Sequence, residues 1–171
     1  RYFSQNRSWF GLRNLSSKET AAVLFYNIAN ILHQKGKFHD AKRYYLECVK
    51  ILKDFPEAWG NLAITYSALK QNDSAGIAFQ HASVLKPDLE NLAYNMGTFD
   101  LGLSNFTSAI NSFKRGLFYS PQNPDVLYGI ANTYYLMGKV DSARVYIDIM
   151  SIKGLFTGRE KKLLELIKKD E

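Results

Sequence analysis

A chain of 171 residues has the length of one domain, and at 46% hydrophobic residues it can bury a core of its own. Cys48 is the single cysteine, which excludes an internal disulfide framework and any Cys-rich zinc site; no apolar run approaches the roughly 18 residues that span a bilayer. Of the formal charge of +6, +4 belongs to the amino-terminal end, where Arg1, Arg7, Arg13 and Lys18 precede the first acid, Glu19. The remainder is nearly balanced and shows no basic helix face, so nucleic acid is not expected as a partner.

Residues 1–21 form a basic, aromatic arm or helix carrying Tyr2, Phe3, Trp9, Phe10, Leu12 and Leu15 among the arginines. Three readings stay open. The segment packs on the helical region that begins near residue 22, or lies at a bilayer surface behind an upstream anchor, where arginines and interfacial aromatics are at home, or makes an oligomer contact. The chain starts at Arg1 rather than Met, which predicts a trimmed or processed start. Localisation is left open between the cytoplasm and, given an upstream signal or anchor, a periplasmic or membrane-attached setting.

Residues 22–157 repeat. Four segments, 22–55, 56–89, 90–123 and 124–157, align without gaps at a period of 34. Position 8 is always small (Ala29, Ala63, Gly97, Ala131) and position 20 always alanine (Ala41, Ala75, Ala109, Ala143). Position 7 is apolar (Ile28, Leu62, Met96, Ile130) and position 24 large (Tyr45, Phe79, Phe113, Ile147). Each unit therefore holds two apolar stripes at helical spacing, and the small residues let two helix backbones approach while the large ones fill the space beside the crossing. A turn is expected at positions 15–17, marked by Gly36, Asn72, Ser104-Asn105 and Gly138. Pro87 and Pro121 stop the second helices. In the third repeat Asp100 stands in an apolar register between Gly97 and Gly102, so a softer or irregular first helix is expected there.

Residues 158–171, GREKKLLELIKKDE, place Leu163, Leu164 and Ile167 on one face of a helix. This predicts a capping helix over the last exposed apolar face, with a dimer contact through the same stripe as the alternative.

The pattern resembles the tetratricopeptide repeat family, most fully in the second repeat, where Trp59, Leu62, Ala63, Tyr66, Ala75, Phe79, Ala82 and Pro87 stand at the signature positions. Asp100 departs from it, as do Lys53 and Leu155 where a closing proline is usual. The resemblance implies an all-α, right-handed superhelical solenoid of antiparallel helix pairs whose first helices line a concave groove. On that mapping the groove would present Tyr26, Asn27, Asn30, Asn61, Ile64, Tyr94, Asn95, Thr98, Tyr128, Asn132 and Tyr135, with His33, Gln34 and Leu136 further along.

A row of amides, each with two donors and an acceptor, can grip the backbone of an extended peptide, and tyrosines add apolar contact with a polar tip. The same asparagines can instead tie neighbouring helices together. The lysines and arginine by which chaperone-binding relatives hold a terminal carboxylate are missing from these positions. His33, His39 and His81 fall on different helices without ligand partners, and no phosphate-binding loop or nucleophile elbow occurs. No cofactor, metal or enzymatic activity is therefore expected. The expected function is a scaffold that binds another protein or an extended peptide in the groove. The alternative is a structural subunit of a membrane-associated assembly, acting through the arm and the cap helix, with homo-oligomerisation open.

Overall fold

The computed structural model describes residues 16–89, 91–156 and 158–170. They form nine helices and, among the described residues, no strand. In chain order these are α1 (Ser17–Gln34), α2 (Phe38–Ile51), α3 (Pro56–Ala68), α4 (Asn72–Leu85), α5 (Leu92–Gly102), α6 (Phe106–Tyr119), α7 (Pro124–Leu136), α8 (Val140–Ile152) and α9 (Gly158–Asp170). The 34-residue period thus resolves into four helix pairs and a ninth helix. The arm lies outside the described residues up to residue 15; residues 17–21 already belong to α1.

Helix starts follow local chemistry. Ser16 and Glu19 form a reciprocal cap on α1: the Glu19 amide donates to Ser16 Oγ at 3.3 Å and the Ser16 amide to Glu19 Oε2 at 2.9 Å. Pro56 and Pro124 sit in the first turns of α3 and α7, where a missing N–H costs nothing. Asn123 Oδ1 accepts from the amides of Asp125 and Val126, closing the start of α7.

The four turns within pairs share one geometry. Gly36, Lys70, Ser104 and Gly138 all stand at position 15, and all four are left-handed, with φ between 59° and 71°. In each turn the next amide (Lys37, Gln71, Asn105, Lys139) reaches the carbonyl five residues back (Leu32, Tyr66, Asp100, Tyr134) at 2.9 Å. That bond satisfies a carbonyl which the helix end would leave orphaned. In the second pair the special residue is therefore Lys70; Asn72, expected to serve the turn, opens α4 instead.

The irregularity of the third pair lies at its start. α5 runs unbroken through Gly97 and Asp100, but it begins late, behind Asn91 in the left-handed conformation (φ 62°), and spans 11 residues.

The helices group into two compact units, residues 1–85 and 86–171. In unit 1, Ala22, Ala29, Ala41, Ala63, Ala75 and Ala82 are closed off completely, and Tyr45, Phe55, Leu62 and Phe79 fill the space between them. In unit 2, Phe113 is the central ring, packed with Ala109, Val126 and Ile130. α9 contributes Leu163 and Ile167 to a second cluster with Ala131, Ala143 and Ile147. The apolar stripe of α9 is consumed inside its own unit, which removes Leu163 and Ile167 as a free surface for a dimer contact.

Two unit 2 glycines are fixed by that ring. A Cβ on Gly97 would stand 2.5 Å from the Phe113 ring and one on Gly129 2.7 Å from it. The ring is 1% exposed and has nowhere to go. Gly97 is thus a packing necessity, and Gly129 interrupts the asparagine row because Phe113 occupies the place of a side chain.

Candidate functional site

The first helices of the pairs carry the groove positions. In unit 1, α1 and α3 touch directly, and their polar side chains bond to one another. Asn61 Nδ2 donates to Asn30 Oδ1 at 2.9 Å and lies 3.2 Å from Tyr26 Oη, while Tyr45 of α2 donates its hydroxyl to Asn30 Oδ1. Tyr26 is only 7% exposed, its ring 4.8 Å from that of Phe55. Position 5 of the first repeat therefore points into the core rather than outward, because Phe55 and Tyr45 offer its ring an apolar seat. Burial raises the pKa of both Tyr26 and Tyr45 above the ordinary phenol value, so both stay neutral.

One turn further along, Thr65 Oγ1 donates to the Asn61 carbonyl at 2.7 Å and is met by His33 Nδ1 at 2.9 Å. The hydroxyl has one proton and has given it to Asn61, so His33 Nδ1 must carry a proton and donate. Burial lowers the His33 value, which favours this neutral ring. Thr65 and His33 extend the polar network of unit 1, a role that period and spacing alone do not signal. Asn27 is half-buried and makes no side-chain hydrogen bond among the described residues; Ile64 is half-buried beside the network.

In unit 2, α5 and α7 touch. Asn95 and Asn132 are half-buried, Thr98 is exposed, and none of the three makes a side-chain hydrogen bond among the described residues. Tyr94 lies against Phe113 with ring centroids 6.1 Å apart. Tyr128 and Tyr135 are half-buried against the cluster that receives α9.

The end of that face is held by a charge group which sequence reasoning did not find. The Arg159 guanidinium sits 4.5 Å from the Tyr128 ring centroid and donates to Asp125 Oδ1 (2.5 Å) and Glu160 Oε1 (2.7 Å). Glu160 has no solvent exposure, which is tolerable for a carboxylate because it is paired. Burial works against the Arg159 charge, but its bonds to Glu160 and Asp125 outweigh it and hold the guanidinium firmly protonated. Asp100, half-buried on α5, is raised by burial, with Ser112 Oγ (3.4 Å) offsetting part of the shift.

Among the described residues no group of acids, histidines and cysteine is placed to hold a metal ion. No helix there is long and apolar enough to cross a membrane.

Helix pairs recurring every 34 residues, closed by the same left-handed turn and packed through small residues at fixed positions, define a class of helical repeat proteins. Residues 22–54, 56–89 and 101–152 match the tetratricopeptide repeat, more than half of the chain, and the protein belongs to that family. It is 27% identical over 119 residues to tetratricopeptide repeat protein 8 of Caenorhabditis elegans; the matched part is 68% of this chain and spans about a quarter of that relative (24%). Among solved structures, the crystal structure of the MamA protein superposes with a TM-score of 0.76 at 22% identity, covering 88% of this chain and 82% of that one. The first repeat domain of Spaghetti (RPAP3), bound to an HSP90 peptide of sequence SRMEEVD, superposes with a TM-score of 0.67 at 18% identity, covering 70% and 95%. These likenesses establish the fold.

Proposed function

We propose that the protein is an interaction scaffold that binds an extended peptide segment of a partner along the first helices of its repeats. The observation that carries this reading is a division of labour among the asparagines. Asn30 and Asn61 are spent on tying α1, α2 and α3 together. Asn27 in unit 1, and Asn95 and Asn132 in unit 2, keep amides without an internal partner among the described residues. Half-buried amides with unused donors and acceptors suit the N–H and C=O groups of a peptide backbone. Tyr94, Tyr128 and Tyr135 would supply apolar contact beside them.

The Spaghetti neighbour takes a peptide rich in acids. Positions 2, 5, 6 and 9 of this chain's repeats hold no lysine or arginine, so an acidic carboxyl terminus would meet no countercharge there. The peptide expected here is read through its backbone and apolar side chains.

A displayed peptide library panned against the intact chain tests the proposal. Selected peptides should bind an Asn27→Ala, Asn95→Ala, Asn132→Ala variant at least tenfold more weakly, with its helical circular dichroism unchanged. Equal binding by the variant, or no enrichment over background, removes the groove assignment.

A further inference from the structure

Away from the first-helix face, unit 1 has a cleft of about 510 Å³ between α2 and α4, lined by Leu46, Glu47, Val49, Lys50, Lys53, Trp59 and His81. Its floor is apolar and its aromatic wall is fixed. The Trp59 ring stacks on His81 with centroids 4.5 Å apart and 19° between planes, and its Nε1 donates to the Lys53 carbonyl at 2.8 Å. Two anchor points hold the indole in one orientation without filling the cleft beside it.

The charges on the rim are unequal. Glu47 is the one acid in the lining, and it is taken up by Lys50 at 3.1 Å. Lys53 makes no ion pair among the described residues, so one ammonium is left over beside a preformed apolar slot.

We infer that this cleft is a second peptide-binding site, one that takes an apolar side chain followed closely by a carboxylate. The apolar side chain would lie against Trp59, Leu46 and Val49, and the carboxylate would meet Lys53. Residues 1–15 do not supply that pairing: they offer apolar side chains but contain no acid at all and bring three arginines. The inference is independent of the groove reading, since no groove residue lines the cleft.

The test is a nuclear magnetic resonance titration of the intact chain, followed at the Trp59 indole N–H. The probes are capped peptides Gly-Leu-Phe-Glu-Gly, Gly-Leu-Phe-Gln-Gly and Gly-Leu-Phe-Lys-Gly. A salt bridge at an exposed rim is weak, so the glutamate peptide should bind about three- to fivefold more tightly than the glutamine peptide. The lysine peptide should bind weakest. Lys53→Glu should reverse that order. An indole that no peptide moves at millimolar concentration overturns the inference, and so does an order that Lys53→Glu leaves intact. An indole already shielded from a soluble paramagnetic agent in the peptide-free chain means that the chain or a second copy fills the cleft, and that too overturns it.

Discussion

Phe113 dictates what can stand at two other positions. A methyl on Gly97 would have to share space with a ring that Gly129 confines from another side. Helix propensity favours alanine by about 1 kcal/mol, but overpacking a closed core costs about 1–3 kcal/mol, and here the ring cannot retreat. Gly97→Ala is expected to destabilise unit 2 by about 1–2 kcal/mol in urea unfolding. Gly102, with open space around its missing Cβ, is the control: Gly102→Ala should stabilise by about 0.5–1 kcal/mol. The two glycines look alike in the sequence and should respond with opposite signs. Asp100, between them, is an acid whose charge burial disfavours; its raised value means that stability falls as pH rises through it. Asp100→Asn should therefore stabilise the protein at neutral pH and leave it unchanged once the native carboxyl is protonated.

The elements obey the 34-residue period more strictly than the residues do. Position 15 is left-handed in every pair, whether glycine, lysine or serine occupies it. An L-residue held there is strained by about 1 kcal/mol, partly offset by the extra freedom of glycine in the unfolded chain. Lys70→Gly and Ser104→Gly should each add about 0.5 kcal/mol in thermal or denaturant unfolding, and Gly36→Ala should do the reverse. α9 behaves as part of the core, so Ile167→Ala should cost about 2–5 kcal/mol.

The helix pairs and the buried alanines were legible because packing repeats the same small and large residues at fixed positions. The turn at Lys70 was not, because the i→i−5 bond and the neighbouring helices impose its conformation without a glycine to announce it. Tyr26 was misplaced for a related reason. Its outward position is a rule of the average repeat, and Phe55, outside that average, gives this ring a place inside. The Arg159, Glu160 and Asp125 group joins residues far apart in sequence with no periodic signature. The unspent Asn27, Asn95 and Asn132 could be named in advance only as members of a row that also contained the spent ones.

At the scale of the molecule, pH acts on both units, since burial also raises Tyr128 in unit 2. Tyr26, Tyr45 and Cys48 all lie in unit 1, and burial raises all three, Cys48 from 9.0 to about 12. Raised values mean that their neutral forms support the fold fully below the unfolded values, and that this support is lost as pH rises towards the native ones. Unit 1 should begin to unfold in the window between pH 9 and 12, with tyrosinate absorbance and helicity changing together. On the acid side, His33 is lowered, so its support is complete above 6.5 and is lost as pH falls below that value towards the native one. His33→Gln should flatten that limb of the stability curve.

The single thiol offers one more thing. Cys48 has no exposed surface and lies in unit 1, and no other cysteine exists in the chain. A thiol reagent can reach it only when the helices around it part, so the labelling rate, divided by the rate for the unfolded chain, reads directly how often that unit opens. Without any engineered label, the protein carries a clock that ticks for one half of its fold and is silent about the other.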